Sequence, residues 1–211
     1  MASARRRFGQ MKEGSLKFPL SVEAALGVSL LALTALSGPW AQSGDKESPV
    51  AQAELKAGMP APDFTAPSSE GGTVSLHDFK GKVVVLYFYP KDNTPHCTKE
   101  ACSFRDGQAQ LQALGAVVLG VSKDSLDSHH AFTKKYSLNF PLLSDPEGKI
   151  ITEYGSWKKG SLFGKTALGL DRSTFVIGRE GIIRKIWRGV DVSHHEAEVL
   201  AFVKTLTGPA S

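Results

Sequence analysis

The chain has 211 residues, 41% of them hydrophobic and 22% charged, enough for one folded domain with a real core plus an extension. Its formal net charge of +4 is unevenly placed: residues 1–41 carry Arg5, Arg6, Arg7, Lys12 and Lys17 against Glu13 and Glu23, which leaves the remainder nearly neutral. No basic stripe with interleaved aromatics marks a nucleic-acid binder, and two cysteines, Cys97 and Cys102, are too few for a disulfide-stapled scaffold or a four-cysteine zinc site.

Residues 1–53 read as a leader, and 54–211 as the folded domain. The leader has a basic start, an apolar run from Ala24 to Leu36 and a stretch of small and polar residues after it. The run is shorter than the roughly 18–20 apolar residues that span a bilayer, and the three parts together resemble a secretory signal peptide. Ala41-x-Ser43 and Ala51-x-Ala53 are candidate cleavage sites, and either Met1 or Met11 serves as a start. Export to the periplasm or tethering to a membrane is expected. The alternative is an amphipathic or disordered leader on a cytoplasmic protein, which Glu23 beside the apolar run favours. Ser43 to Ala57 reads as a linker.

Strand and helix patterns then alternate. Ala61–Ala66 and Thr73–Leu76 flank a polar, glycine-containing turn and predict a hairpin. Val83–Tyr89 (VVVLYFY) is a continuous β-branched and aromatic run, the mark of a central strand buried on both faces, and Pro90 ends it. Lys99 to Leu114 has helical spacing, with Ala101, Phe104, Leu111 and Leu114 apolar and Gly115 as the stop. Val117–Val121 is a second buried strand, and Ser125–Tyr136 a helix with Ser125 at its N-cap. Leu142-Leu143 and Lys149–Tyr154 are shorter pieces. Ser173–Ile177 and Ile182–Trp187 flank Gly178-Arg179-Glu180-Gly181 as a second hairpin, and Ser193–Leu206 is a final amphipathic helix. Crossover helices require some parallel strands and the late hairpin adds antiparallel ones, so an α/β fold with a mixed central sheet is expected.

The chemistry concentrates at Pro90-Lys91-Asp92-Asn93-Thr94-Pro95-His96-Cys97-Thr98-Lys99-Glu100-Ala101-Cys102. A buried strand ends, a proline-bounded loop follows and a helix begins near Cys97. Free backbone N–H groups and the helix dipole favour an anion there, and such a position, with a nearby cation, can bring a cysteine well below its free value of about 8.5. Cys102 lies five residues on. In an intact helix that is a rise of roughly 7.5 Å and a rotation of roughly 140°. The two thiols leave different faces, beyond the roughly 7 Å between α-carbons that a disulfide tolerates. A permanent disulfide is therefore not expected, and a transient one requires at least a turn of helix to unwind.

These residues carry a resemblance. PxxxTxxC, formed by Pro90, Thr94 and Cys97, is similar to the peroxiredoxin signature, and KDNTPHCTKEACSFRD resembles its peroxiredoxin Q, or bacterioferritin comigratory protein, branch, which often has a second cysteine five residues after the first. The likeness runs from about Lys56 to Leu206, and LDRSTFVI adds Arg172 where the family places an arginine beside the reactive thiol. One departure stands out: the family usually has glycine before the reactive cysteine, and this chain has His96, which could crowd the pocket or tune it by charge.

The resemblance implies a thioredoxin-like fold and a thiol peroxidase acting on hydrogen peroxide and organic hydroperoxides. Cys97 would be oxidised to a sulfenic acid and Cys102 would condense with it. A thioredoxin-like dithiol would then restore both thiols. Arg172 would stabilise the thiolate and the charge developing on the leaving oxygen, Thr94 would hydrogen-bond thiolate or peroxide, and Pro90 would keep water from the pocket. No metal or organic cofactor is implied, and the branch is often monomeric. The residues alone leave plainer readings open: Cys102 as a small apolar helix residue, Arg172 at the end of a surface strand, Thr94 in a turn, and Glu100 as a residue that favours the helix start. His129-His130 and His194-His195 are read as solvated, since neighbours on a helix point about 100° apart and chelate poorly. Two other functions compete. An exported thiol–disulfide oxidoreductase wants Cys-x-x-Cys, and a copper-binding assembly factor wants cysteines three or four apart with a distant histidine. Neither spacing occurs.

Overall fold

The computed structural model describes residues 54–162 and 165–207. The leader, with its export reading, lies outside them.

The central strand is β3 (Val83–Phe88), buried at every position. On one side it pairs in parallel with β4 (Ala116–Ser122), which pairs in parallel with β5 (Leu142–Ser144); on the other it pairs antiparallel with β8 (Ser173–Ile177), and β8 with β9 (Ile183–Arg188). The mixed sheet expected from the sequence is thus five-stranded, in the order β5-β4-β3-β8-β9. Alternation along β3 explains why a continuous apolar run is needed. Val83, Val85, Tyr87 and Tyr89 enter a core with Phe104, Leu111, Phe132, Val199 and Val203. Val84, Leu86 and Phe88 enter a second core with Phe64, Leu119, Ile151, Tyr154 and Phe175.

Three helices supply the first of these layers. They are α1 (Pro95–Ala113), α2 (Leu126–Tyr136) and α4 (His195–Thr207). Ser125 caps α2 as expected, its side chain accepting from Ser128 N at 3.3 Å. Helices α1 and α4 approach so closely that a Cβ on Gly107 would collide with the Glu196 carboxylate. The first hairpin, β1 (Thr65–Pro67) with β2 (Thr73–Ser75), is shorter than expected, because Leu76 begins a 3-10 turn, Leu76–Phe79. The short helix α3 (Lys149–Glu153) occupies the second piece left open by the sequence. A further hairpin, β6 (Trp157–Leu162) with β7 (Lys165–Leu170), was not anticipated. Its sequence, WKKGSL and KTALGL, lacks the alternation and β-branched content that announce a strand.

Because β3 and β4 are parallel while β8 runs against β3, the end of β3 and the beginning of β8 meet, with Phe88 opposite Ser173. The loop that leaves β3 and the residue that leads into β8 are thereby brought to one edge of the sheet.

Candidate active site

Helix α1 starts at Pro95, earlier than its apolar spacing indicates, with Thr94 as the N-cap residue. Proline is suited to that first helical position, since its fixed φ is helical and its missing N–H has no partner there in any case. The first rung of the helix is Thr98 N to Thr94 O at 2.8 Å. Cys97 therefore lies in the first turn, among amides that precede the ladder, where the positive end of the helix dipole lies.

The Cys97 side chain is only 2% exposed. Arg172, the residue before β8, donates from Nη2 to Cys97 Sγ at 3.2 Å and from Nη1 to Glu100 Oε2. One guanidinium thus bridges a thiol and a carboxyl group one turn apart on α1. The backbone around Arg172 is tied down: Val190 N donates to Arg172 O at 3.1 Å, Asp171 N to Ser156 O at 2.9 Å, and the Ser156 and Ser173 hydroxyls bond at 2.7 Å. The sequence could not derive the meeting of Cys97 and Arg172, because it spans 75 positions and depends on the β3–β8 register.

Glu100 is buried against this pair and is not on the exposed start of the helix, the position a helix-favouring residue would take. Burial pushes its carboxyl group up to about 7, against the opposing pull of Arg172. Its second oxygen, Oε1, has no hydrogen-bond partner among the described residues, so the ionised form is poorly compensated.

The other expected site residues are placed differently. The Thr94 hydroxyl donates to Lys91 O at 2.9 Å, so this donor closes the loop before the helix and is not directed at sulfur. Pro90 is exposed. His96 is also exposed, and its φ is not in the left-handed region that glycine would relieve, so it does not crowd Cys97 from within the helix. Cys102 is half-buried on the intact helix, and both thiols are free.

The histidine pairs correct the solvated reading. His130 and His194 are exposed, but His129 and His195 are buried. His195 meets the Thr174 hydroxyl through Nε2 at 2.7 Å, and burial together with the Arg172 charge pushes it down to about 4, so it is neutral at neutral pH. His129 belongs to a cluster that sequence reasoning missed. Its Nδ1 lies 2.9 Å from Asp92 Oδ2 and its Nε2 3.3 Å from Leu143 O. Asp92 also accepts from the Tyr89 hydroxyl at 2.8 Å and from Ser128 Oγ at 2.7 Å, and its amide donates to Asp124 Oδ2 at 2.9 Å. Burial works against ionisation of Asp92, but the bonds from His129, Ser128 and Tyr89 prevail and hold its carboxyl group below the usual range.

A buried thiol at a helix start, with a fixed guanidinium on its sulfur, is equipped for nucleophilic attack on a small, polarisable substrate. Comparison with known proteins agrees with this chemistry. The model of the AhpC/TSA family matches residues 57–186. The putative peroxiredoxin bcp of Coxiella burnetii is 51% identical over 146 residues, covering 69% of this chain and 97% of that protein. Peroxiredoxin Bcp of Bacillus subtilis is 46% identical over 153 residues, covering 72% and 98%. Among solved structures, Xanthomonas campestris peroxiredoxin Q superposes with a TM-score of 0.66 at 38% identity, covering 67% of this chain and 90% of that one. A structure of the bacterioferritin comigratory protein of the same organism, described for its alkyl peroxide reduction activity, gives 0.68 at 36% identity, covering 71% and 98%.

Proposed function

The chain belongs to the AhpC/TSA family, among its Bcp and peroxiredoxin Q homologues, and from that premise we propose that it reduces hydroperoxides through Cys97, with Cys102 as the resolving thiol and a thioredoxin-like dithiol as the donor. The fold is the thioredoxin-like one of these relatives, and thiol peroxidase chemistry is common to them. The observation that carries the assignment to Cys97 is the 3.2 Å contact between Arg172 Nη2 and the buried sulfur.

In the first step the Cys97 thiolate attacks the distal oxygen of ROOH. The O–O bond breaks, the sulfur becomes a sulfenic acid, and RO⁻ leaves to take up a proton as ROH. Arg172 donates to the sulfur, and its charge is placed to stabilise the negative charge that passes to the leaving oxygen. In the second step Cys102 sulfur displaces hydroxide from the sulfenic acid. Hydroxide leaves with the Cys102 proton as water, and the Cys97–Cys102 disulfide forms. Helix α1 is intact over both residues, so this step needs its first turns to unwind. A donor dithiol then reduces the disulfide by exchange, and the helix re-forms.

Intact mass and thiol counting after one equivalent of hydrogen peroxide test the scheme. The wild type should lose both free thiols with the mass of two hydrogens. Cys102→Ser should gain one oxygen atom and stop there, and Cys97→Ser should remain unchanged. Peroxide consumption by Cys97→Ser at the wild-type rate would remove Cys97 from its role. Wild type that ends as a stable sulfenic acid would reduce Cys102 to a packing residue.

A further inference from the structure

Asp92 stands five residues before Cys97, on the loop that delivers the helix start, and it touches neither the sulfur nor Arg172. Its side chain is 1% exposed, and three donors converge on the carboxylate: the Tyr89 hydroxyl, Ser128 Oγ and His129 Nδ1, at 2.7 to 2.9 Å. The Asp92 amide is held in turn by Asp124 Oδ2, which the Ser122 hydroxyl also fixes at 2.7 Å. These partners come from the end of β3, the β4–α2 connection and the first turn of α2, and His129 reaches on to Leu143 O of β5.

The loop requires such fixing. Asn93, between Asp92 and the N-cap residue, has φ 58°, in the left-handed region that non-glycine residues seldom adopt. Left unheld, the loop would relax toward commoner conformations and carry the helix start with it. The sheet order shows how the load is divided. Arg172 leads into β8 on one flank of β3, and, apart from the Tyr89 hydroxyl at the end of β3 itself, the groups that grip Asp92 come from the β4–α2 connection and α2 on the other. The thiol lies on a segment held from both flanks.

We infer that Asp92, gripped by His129, is a positioning residue for the peroxide reaction: it sets the placement of Cys97 Sγ against the Arg172 guanidinium. This rests on the reading of Cys97 as the peroxide-reactive thiol. A reacting atom displaced by about 1 Å can cost on the order of 100-fold in rate, so a slackened loop is expected to show in the chemistry.

The test uses the full chain in its reduced form. The rate constant for hydrogen peroxide is measured by stopped flow, and the pH midpoint of iodoacetamide alkylation and the melting temperature are recorded alongside, with Cys97→Ser as control. Asp92→Asn and His129→Leu should slow the peroxide reaction by about tenfold or more and move the alkylation midpoint upward. His129→Asn, whose side-chain amide can donate from the place of Nδ1, should stay within about threefold of wild type, because it restores the grip without the imidazole. Ser128→Ala removes one donor of three and should give a smaller loss in the same direction, which keeps the test decisive if Asp92→Asn does not fold. Variants that melt earlier but react and alkylate as wild type does would overturn the inference, as would His129→Asn matching His129→Leu. A reactive Cys97→Ser control would instead overturn the assignment of the thiol itself.

Discussion

Cys97 and Cys102 sit on the same helix, five positions apart, in opposite surroundings. Cys97 is buried in the first turn with a guanidinium on its sulfur; Cys102 is half-buried in the second turn, where the helix ladder is already complete. The residue type is the same, so the difference in setting is made by position along the dipole, by burial and by one cation delivered from a distant part of the chain. The comparison also shows what the helix prevents. While it is intact the thiols cannot meet, so in the proposed scheme the segment serves as a rigid mount for one step and yields in the next. Opening it breaks a few hydrogen bonds worth roughly 1 kcal/mol each, a cost a helix end can meet.

The contrast should break most completely when its cation is removed. Arg172→Ala is expected to lower the peroxide rate constant by about 100-fold or more, and to shift the alkylation–pH curve of Cys97 upward while leaving that of Cys102 in place. Residue-resolved alkylation by mass spectrometry distinguishes the two thiols; a parallel shift of both would mean that Arg172 acts through general stability.

A smaller effect concerns Glu100 and has a definite sign. Its folded-state value of about 7 lies above the ordinary carboxyl value of 4.5, so between these limits the folded chain binds more protons than the unfolded one. The stability this group contributes is fully present below about 4.5 and is lost as pH rises through about 7, a change on the order of 3 kcal/mol. Glu100→Gln should flatten that part of the stability–pH profile, measured by urea denaturation from pH 4 to 8. An unchanged slope would show that the carboxyl group ionises in the folded protein at its ordinary pH.

The smallest effect is expected at the residue that departs from the family pattern. His96 is exposed and in ordinary helical conformation, so His96→Gly should change the peroxide rate by no more than about twofold and cost up to about 1 kcal/mol of helix stability. A large gain in rate would show that the imidazole obstructs the approach to sulfur.

The parts legible in the sequence are those that depend on local pattern. The VVVLYFY run fixed the central strand, the apolar spacing fixed the helices, and a strand, a loop and a cysteine at a helix start marked the candidate thiol from the physics of helix ends. Arg172 was reachable only through resemblance, since its contact crosses the sheet. Asp92 escapes local reading because a carboxylate in the stretch Pro90-Lys91-Asp92-Asn93 looks like a loop residue, and its partners Ser128 and His129 lie 36 and 37 positions away. In the histidine pairs, the same rotation that makes neighbours poor chelates also decides which member is buried. If neighbours on a helix point about 100° apart, one member of each pair on a half-buried helix faces inward, as His129 and His195 do. Thr94 and Pro90 were assigned from their motif, whereas the loop geometry gives the Thr94 donor to Lys91 O and leaves Pro90 in solvent.

The antiparallel pairing of β8 with β3 also sets a timetable for biosynthesis. Cys97 leaves the ribosome 75 residues ahead of Arg172. At roughly 5–20 residues per second, that is an interval on the order of 4–15 s. The βα units that pair β3 with β4 assemble from contacts nearer in sequence, but Arg172 reaches the sulfur only after β8 has emerged and added to the far edge of β3, Ser173 against Phe88. Until that strand docks, the growing chain carries a cysteine at a helix start without its guanidinium, and the reactivity proposed for Cys97 waits on its arrival.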